Sequence, residues 1–391
     1  MRVWRFFSGK LNKTMSKGTA VFLDDLDTPI SKEILPVERA RRIVLKHGWN
    51  TTSYQILNPG IRRWFSAASD AVVGFVAAVG VRVVAGAPVC ARERLEKVVS
   101  DFESDAEQNS QSVCYFAAEA RLESVLKNSQ THAKILLGAQ PVWQPRNWAA
   151  IVATHKSLRA QINRARNKGV TVAEWTREKA AKNPLLVECL HEWLDAKGLP
   201  PLHFLVEPDT LERLFDRRVF VAESGDEVVG FVLLSPVATR SGWLFEQFIH
   251  CPGAPNGTVE LMIDRAMREL AADGCEYATL GLSPLSSRAR IAPFDNPFWL
   301  RALLAWLRKH AQRFYNFDGL DAFKAKLQPE RWEPVFAIYN RPNISPRALY
   351  AIASVFSGNK PVRLLIGGLW RAVMTEIKWL RRWFNKKFRN L

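Results

Sequence analysis

Short apolar runs alternate with amphipathic segments along most of the chain. One nearly continuous apolar run extends from Ala71 to Val89, and Gly74, Gly80, Arg82 and Gly86 interrupt it. A membrane-spanning helix needs about 20 predominantly apolar residues, whereas β-branched residues punctuated by glycine are typical of buried strands. We therefore predict two buried strands joined near residues 78–80.

The remaining pattern predicts a mixed α/β fold, because strand-like runs alternate with helix-like ones. The predicted helices are Val37–Leu45, Arg92–Ala106, Glu119–Lys127, a basic helix at 156–168, Leu185–Ala196, Leu211–Phe215 as part of a helix, and Phe298–His310 with Trp299, Leu303, Trp306 and Leu307 inward. The predicted strands are Val113–Ala117, Ala133–Leu137, Val170–Trp175, Val219–Ala222, Val228–Leu234 and Val335–Tyr339.

The stretch from Trp243 to Ser286 is the most informative about function. Its first apolar strand contains one ionisable residue, Glu246, and a turn-rich loop then leads to an amphipathic helix that begins at Thr258. Unpaired amides at a helix start bind anions, so Asn256, Gly257 and Thr258 are candidate ligand contacts. The next strand, Tyr277–Leu280, ends in a sharp turn that contains Ser283.

A strand, loop, helix, strand unit of this kind suits an α/β transferase whose ligand lies at the strand ends. The alternative is an ordinary turn at residues 256–257 and an ion pair inside the fold at Glu246, since structural pairs also involve buried carboxylates. The residues of this stretch leave both interpretations open.

Motifs spread over roughly residues 45 to 340 resemble the C-terminal domain family of phosphatidylglycerol lysyltransferases, which aminoacylate lipids using aminoacyl-tRNA. The motifs are Glu246 with Pro252, Ala254–Gly257 and Leu280–Leu285; Leu137–Trp143 with Ser157–Val170; Phe317–Leu320, Phe323–Lys326, Pro329 and Trp332; and Tyr54, Trp64–Phe65 and Val83–Val89. The lysyl-transferring members typically carry arginine where this chain has Ile249 and Asp321, so the transferred amino acid is open.

The resemblance implies two tandem acetyltransferase-like (GNAT) lobes between which aminoacyl-tRNA meets a lipid acceptor. For such a transfer we assign the catalytic roles to Glu246, which binds the aminoacyl ammonium or acts as a base, and to Lys324 and Lys326, which neutralise RNA phosphate or developing negative charge. His250, beside Glu246, joins Asn256, Gly257, Thr258 and Ser283 as a substrate contact. Ester exchange requires no metal or cofactor, and we expect neither.

Basic residues dominate the chain, whose net charge is +17 over 391 residues; residues 1–17 contribute +5 and residues 361–391 contribute +7 of this net charge. Such tails favour an anionic partner, either phospholipid or RNA. The basic helix near 156–168 presents Arg159, Arg164, Arg166 and Lys168, which we assign to tRNA phosphates, with a merely solvated helix face as the alternative.

Residues 361–391 have the pattern of a basic amphipathic helix that lies on a membrane, with packing on the protein body or a partner as the alternative. The candidate membrane contacts are Trp370, Lys378, Arg381, Arg382, Trp383 and Lys386. Five scattered cysteines argue against a disulfide framework or a zinc site, and the N-terminus lacks the apolar core of a signal peptide. We expect a cytoplasmic protein bound peripherally to the inner face of the cell membrane.

These observations divide the chain into a mobile basic arm (1–36), a first lobe (37–137), a second, catalytic lobe (138–345) and a membrane-surface tail (346–391). The expected function is transfer of an amino acid from aminoacyl-tRNA to a lipid hydroxyl group. The alternatives are an acyl-CoA-dependent N-acyltransferase and a non-catalytic RNA- or membrane-binding protein.

Overall fold

The computed structural model describes residues 36–197, 202–208, 210–291, 294, 296–303 and 317–358. Within these residues the strands form one twelve-stranded mixed sheet with helices on both faces, which confirms the α/β fold class. The basic arm before residue 36 and the candidate membrane contacts from Trp370 to Lys386 lie outside the described residues.

Most predicted elements are present within a few residues of their predicted ends. The strands are β1 (Arg62–Phe65), β2 (Val72–Ala78), β3 (Val81–Ala85), β4 (Ser112–Ala118), β5 (Ala133–Trp143), β6 (Val170–Trp175), β7 (Arg218–Ser224), β8 (Glu227–Val237), β9 (Gly242–His250), β10 (Tyr277–Thr279), β11 (Ser283–Pro284) and β12 (Arg331–Tyr339). The helices are α1 (Pro36–His47), α2 (Leu95–Gln108), α3 (Ala120–Val125), α4 (Trp148–Thr154), α5 (Lys156–Asn167), α6 (Arg177–Ala180), α7 (Pro184–Lys197), α8 (Thr258–Ala272), α9 (Phe317–Lys326) and α10 (Pro346–Phe356).

The apolar run at 71–89 forms β2 and β3, as predicted, and it is apolar on both faces because helices cover both faces. Val72 and Val83 point into a core with α1 and α10. Val73 and Val84 point into a second core with α2. No helix among the described residues is long and apolar enough to cross a membrane.

The same order of elements occurs twice. Strands β1, β2 and β3 form an antiparallel meander that α2 connects to the parallel strand β4, and α3 and β5 follow. Strands β7, β8 and β9 form a second meander that α8 connects to the parallel strand β10, and α9 and β12 follow. These two halves correspond to the two lobes that the resemblance implied.

The last strands of the two halves are exchanged. Strand β12, from the second half, pairs with β4 of the first half, while β5, from the first half, pairs with β10 of the second. The exchanged strands also pair with each other, so the sheet runs without a break through both halves. The division at 137/138 therefore needs correction, because it falls inside β5.

The start of the predicted tail also needs correction. Helix α10 contributes Ala348, Ala351 and Val355 to the core under β2 and β3, so residues 346–356 belong to the folded body. Apolar contact with the sheet, rather than with a membrane, accounts for the apolar face of this helix.

Two helix predictions differ from the structure. Residues 211–215 form turns instead of a helix, with Leu211 and Leu214 buried against α7. Residues 298–303 are helical as predicted, but Trp299 is exposed and Leu300 is buried in its place. The rest of that predicted helix lies outside the described residues.

Candidate functional site

The parallel strands β9 and β10 separate at their carboxyl ends. They pair only where Gly242–Leu244 lie beside Tyr277–Thr279. Beyond this point β9 continues along β8 to His250, whereas the chain after β10 turns away to form β11 beside Gly138 and Ala139 of β5. The ends of separated parallel strands are a common place for a ligand in α/β proteins.

Glu246 occupies a β-bulge at this split. On β8, Leu233 pairs with Gln247 and the next residue, Leu234, pairs with Phe245, so Glu246 is the extra residue of β9. A bulge turns a side chain away from the regular alternation of its strand and is frequent beside active sites. The sequence showed an acid in an apolar strand, and the bulge explains how the strand accommodates it.

The carboxylate of Glu246 forms a buried bidentate ion pair with Arg217. The Nε and Nη2 atoms of Arg217 donate to its two oxygens at 2.8 and 2.9 Å, and both side chains are 3% exposed. Burial lowers the pKa of Arg217, but the charge of Glu246 outweighs it and the net effect is a raised pKa. The sequence left open an ion pair inside the fold as the alternative for Glu246, and this pair is present. The binding of an ammonium group by Glu246 stays a prediction.

Residues of the first half hold the ion pair in place. The Nη2 of Arg217 also donates to Asn58 at 3.3 Å, and its guanidinium lies 4.8 Å from the centre of the Tyr54 ring. The Tyr54 hydroxyl in turn donates to Asp216 at 2.9 Å, and Arg41 donates to the same carboxylate. The two halves are thus joined by buried charges as well as by exchanged strands.

Lys324 lies on the other side of the split. Its Nζ donates to the carbonyl oxygens of Gly281 and Leu282, each at 2.9 Å, and the residue is only 3% exposed. Burial lowers its pKa to about 7, although Asp321 partly opposes this effect. A lysine with such a pKa is present in both protonation states at neutral pH.

The structure brings Ser283 to the same place. It follows the two carbonyl groups that bind Lys324, is fully buried, and has no hydrogen-bond partner for its Oγ among the described residues. Lys326 is exposed two residues further along α9 and does not join this group. Asp321, at a departure from the lysyl-transferring pattern, accepts from Arg288 at 2.6 Å.

A cavity of about 350 Å³ lies at the start of α8. Its lining includes His250, Asn256, Gly257 and Thr258, together with Arg164 from α5. The structure therefore brings four of the five predicted substrate contacts together with one of the predicted tRNA contacts. Neither Glu246 nor Lys324 is among the described residues that line it, so the candidates form two separate groups.

Gly257 is required by the backbone geometry at the start of α8. Its φ of +96° is in the left-handed region, and a Cβ atom would collide with the carbonyl oxygen of Gln161 on α5. No side chain caps the helix, and the Thr258 amide donates to the carbonyl oxygen of Pro255 at 3.1 Å, which leaves the amides of Val259 and Glu260 beside the cavity without a side-chain acceptor. The close approach of α5 is what places Arg164 beside this helix start.

The four predicted tRNA contacts differ in what they bind within the protein. Arg159 donates to the carbonyl oxygens of Val152 and Ala153 at the end of α4. Arg166 donates to the buried carboxylate of Asp264 at 2.8 Å. Arg164 and Lys168 are exposed, and no ion pair of theirs appears among the described residues.

A second buried charge cluster escaped the sequence analysis. The guanidinium of Arg240 lies 3.7 Å from the centre of the Tyr277 ring and pairs with Glu119 at 3.1 Å and Glu333 at 2.6 Å. Burial raises the pKa of Glu119. Burial also acts to raise the pKa of Glu333, but the hydrogen bond and charge of Arg240 outweigh burial, and the net effect is a lowered pKa of Glu333. No local pattern marks these residues, which come from four separate parts of the chain.

The chain resembles known proteins in both sequence and fold. A sequence model of the family described as "Phosphatidylglycerol lysyltransferase, C-terminal" matches residues 41–339, which span both halves and the exchanged strand β12. The chain belongs to this family. The resemblance seen in the sequence motifs is thereby confirmed, and the family match includes Arg217, Glu246, Ser283 and Lys324.

Curated relatives match at low identity and over part of their length. A phosphatidylglycerol lysyltransferase from Bacillus subtilis is 24% identical over 80% of this chain, which covers 36% of that protein. The bifunctional lysylphosphatidylglycerol biosynthesis protein LysX from Mycolicibacterium gilvum is 22% identical over 75% of this chain, which covers 26% of that protein. The chain thus spans about a third or less of these relatives.

Solved structures share the fold. The C-terminal domain of a proposed lysylphosphatidylglycerol synthetase from Agrobacterium fabrum has a TM-score of 0.70 at 21% identity, covering 83% of this chain and 97% of that one. The structure of L-PGS from Bacillus licheniformis has a TM-score of 0.67 at 20% identity, covering 84% and 99%. At these identities the likeness establishes the architecture, and the chemistry must be argued from the site.

Proposed function

We propose that this protein transfers an amino acid from aminoacyl-tRNA to a hydroxyl group of a membrane phospholipid such as phosphatidylglycerol. Membership of the lysyltransferase C-terminal family over residues 41–339 supports the class of reaction. The observation that carries the proposal within the structure is the buried Lys324, with a pKa of about 7, at the strand split next to Ser283, whose hydroxyl has no hydrogen-bond partner in the described part of the chain.

The reaction exchanges one ester for another. The lipid hydroxyl oxygen attacks the carbonyl carbon of the aminoacyl ester, a tetrahedral oxyanion forms, and the bond to the ribose oxygen of the tRNA then breaks. The proton of the lipid hydroxyl finally resides on that ribose oxygen. The protein must align the two substrates, move this proton and stabilise the oxyanion.

Lys324 is suited to the proton transfer because its neutral amine can accept a proton near pH 7. The resulting ammonium stabilises the oxyanion and can return the proton to the leaving oxygen. The two carbonyl groups of Gly281 and Leu282 fix the Nζ atom in the split, so its position does not depend on the substrate. The hydroxyl of Ser283 supplies a donor for the same oxyanion.

Glu246 binds the α-ammonium of the aminoacyl group in this proposal. A carboxylate has about four acceptor positions, and Arg217 uses one on each oxygen. The remaining positions accept the ammonium, while Arg217 prevents an unpaired negative charge from remaining buried when the site is empty. The ion pair therefore supports a binding role more directly than a role as a base.

The cavity at the start of α8 receives anionic groups near the 3′ end of the tRNA. Arg164, the first-turn amides of α8 and His250 converge there. The exposed Arg164 and Lys168 contact tRNA phosphates, whereas Arg159 and Arg166 position α5 through their contacts within the protein. Lys326 is a further exposed residue that contacts a tRNA phosphate in this proposal.

The basic segment 361–391 adds peripheral attachment to the cytoplasmic face of the membrane.

The experiment supplies the purified full chain with tRNA charged with radiolabelled amino acids and with phosphatidylglycerol vesicles, and measures label in the extracted lipid. We expect labelled lipid that disappears after RNase treatment. Lys324→Met should reduce the rate at least a hundredfold, since a positioned acid–base group contributes about 10² to 10⁴, while Lys127→Met, at an exposed lysine with no proposed role, is the control. Label transferred from acyl-CoA instead, or RNase-resistant product, would contradict the proposal.

A second variant addresses Glu246. Glu246→Gln keeps the shape of the side chain but removes its charge, so we expect a raised KM for aminoacyl-tRNA with a smaller change in kcat. Undiminished activity with unchanged KM would exclude the ammonium-binding role and leave the ion pair as a structural feature alone.

A further inference from the structure

The connection that follows β11 exposes large apolar side chains to solvent. Phe298 is 79% exposed, and the adjacent Trp299 is 38% exposed. Ile291, earlier in the same connection, is 37% exposed. Single exposed apolar residues are ordinary, but a group of them marks an interaction surface.

A buried neighbour fixes the direction of the Phe298 side chain. Leu300 is fully buried in the core of the first half, and Phe298, two positions earlier on the same helix, points to the opposite side, while Trp299 lies at the edge and is partly covered. The ring of Phe294 packs against that of Phe336 on β12, with ring centres 5.9 Å apart. The exposure of Phe298 and Trp299 is therefore a property of the folded segment.

This segment adjoins the strand split. Arg288, five residues after Ser283, donates to Asp321 at 2.6 Å, and Asp321 lies three residues before Lys324 on α9. The guanidinium of Arg288 also lies 5.3 Å from the centre of the Trp332 ring on β12. These contacts fix the beginning of the exposed segment beside the proposed catalytic lysine.

The charge around the exposed aromatic residues is positive. Residues 286–303 contain three arginines and one acidic residue. Arg288 is paired, but Arg290 and Arg301 are exposed and have no ion pair among the described residues. Aromatic side chains flanked by arginine match the apolar interior and anionic headgroups of a phospholipid surface.

We propose that Ile291, Phe298, Trp299, Arg290 and Arg301 form a docking surface for an anionic phospholipid membrane, which we name the aromatic patch. The aromatic rings enter the headgroup boundary and the arginines contact lipid phosphates. Docking there presents the strand split at Lys324 to the membrane, so that an acceptor lipid reaches the site without leaving the lipid phase completely. Only this last step rests on the proposed function.

The charge and the position of the patch favour a membrane over a protein partner. A protein would be selected by shape and by paired polar groups, whereas the patch offers exposed rings and flanking cations beside a site proposed to act on lipid. The patch is separate in sequence from residues 361–391, so it provides a second membrane contact, and two linked contacts bind more tightly than either alone.

The test measures sedimentation of the full chain with vesicles of phosphatidylglycerol and phosphatidylcholine in equal amounts, and with phosphatidylcholine alone. Phe298→Ser/Trp299→Ser is expected to weaken binding to the anionic vesicles about tenfold or more, which corresponds to ~1.4 kcal/mol. The control Val79→Ser/Leu185→Ser removes side chains that are 46% and 44% exposed elsewhere and should change binding less than about twofold.

Two further variants separate apolar insertion from charge. Phe298→Trp/Trp299→Phe keeps both rings and should bind like the native protein. Arg290→Gln/Arg301→Gln should reduce binding to anionic vesicles while leaving the weak binding to phosphatidylcholine unchanged. Thermal unfolding of each variant confirms that its fold is intact.

Native affinity of Phe298→Ser/Trp299→Ser for anionic vesicles would overturn the proposal, as would an equal loss in the Val79→Ser/Leu185→Ser control. Because vesicle binding is measured without aminoacyl-tRNA, this outcome is independent of catalysis. A protein that binds vesicles through the patch but forms no aminoacylated lipid would uphold the docking surface and refute the proposed function.

Discussion

The low pKa of Lys324 has a measurable effect on stability. The pKa is about 7 in the folded protein and 10.5 for the ordinary side chain. Between these two values the unfolded chain binds about one proton more than the folded protein. Unfolding then takes up a proton, so the free energy of unfolding rises with pH in this range.

The size of the effect follows from the difference between the two pKa values. Each pKa unit corresponds to ~1.4 kcal/mol, so the full penalty for burying the charged lysine is on the order of 5 kcal/mol. Integrated from about pH 7.5 to about pH 9.5, the contribution of Lys324 to the free energy of unfolding becomes more favourable by ~2–3 kcal/mol.

The assay is urea unfolding of the native protein and of Lys324→Met at several pH values. Burial raises the pKa of all five cysteines and so adds its own pH dependence to unfolding. The useful quantity is therefore the difference in the free energy of unfolding between the two proteins. The free energy of unfolding of the native protein should gain ~2–3 kcal/mol relative to that of Lys324→Met over this range. Lys326→Met is the control, because the head group of Lys326 lies in water in both states. If the difference in the free energy of unfolding between the native protein and Lys324→Met does not vary with pH, the burial of Lys324 is refuted.

The remaining predictions concern backbone geometry and the buried ion pair. Arg217→Met leaves the charge of Glu246 buried and unpaired, so it should lower the free energy of unfolding by ~3–5 kcal/mol, while the double variant Arg217→Met/Glu246→Met should recover most of that loss in urea unfolding. If the double variant is no more stable than Arg217→Met, the unpaired charge of Glu246 is not the cause of the lost stability. Gly257→Ala should destabilise by more than ~2 kcal/mol, because it adds a collision with Gln161 to the cost of a left-handed backbone. Gly225→Ala has a positive φ but open space around it, and should lose only ~1 kcal/mol in the same assay.

Local sequence patterns were sufficient for most of the secondary structure. The continuous β-branched run of β2 and β3, punctuated by glycine, and the amphipathic pattern of α8 reflect burial, and burial of this kind is visible in neighbouring residues. The prediction failed where the pattern was short or symmetric. Residues 211–215 bury Leu211 and Leu214 from turns, and Trp299 is exposed although the predicted helix placed it inward.

The candidate site could be predicted only as a set of residue types. Motif spacing identified Glu246, Ser283 and Lys324, but their environments depend on residues far away in the sequence. Arg217 reaches Glu246 across 29 positions, and Lys324 binds carbonyl groups more than 40 positions earlier. Arg240, Glu119 and Glu333 carry no local signal of the cluster that they form.

The sequence by itself determined the class of fold, the order of its elements and the family, because these follow from periodicity and from motifs a few residues long. Only the tertiary structure decided which strands exchange between the halves, which charges neutralise one another and which aromatic rings remain in water. Those outcomes depend on contacts between residues separated by tens to hundreds of positions. No single stretch of sequence encodes them, because each depends on desolvation by partners that only the folded chain brings together.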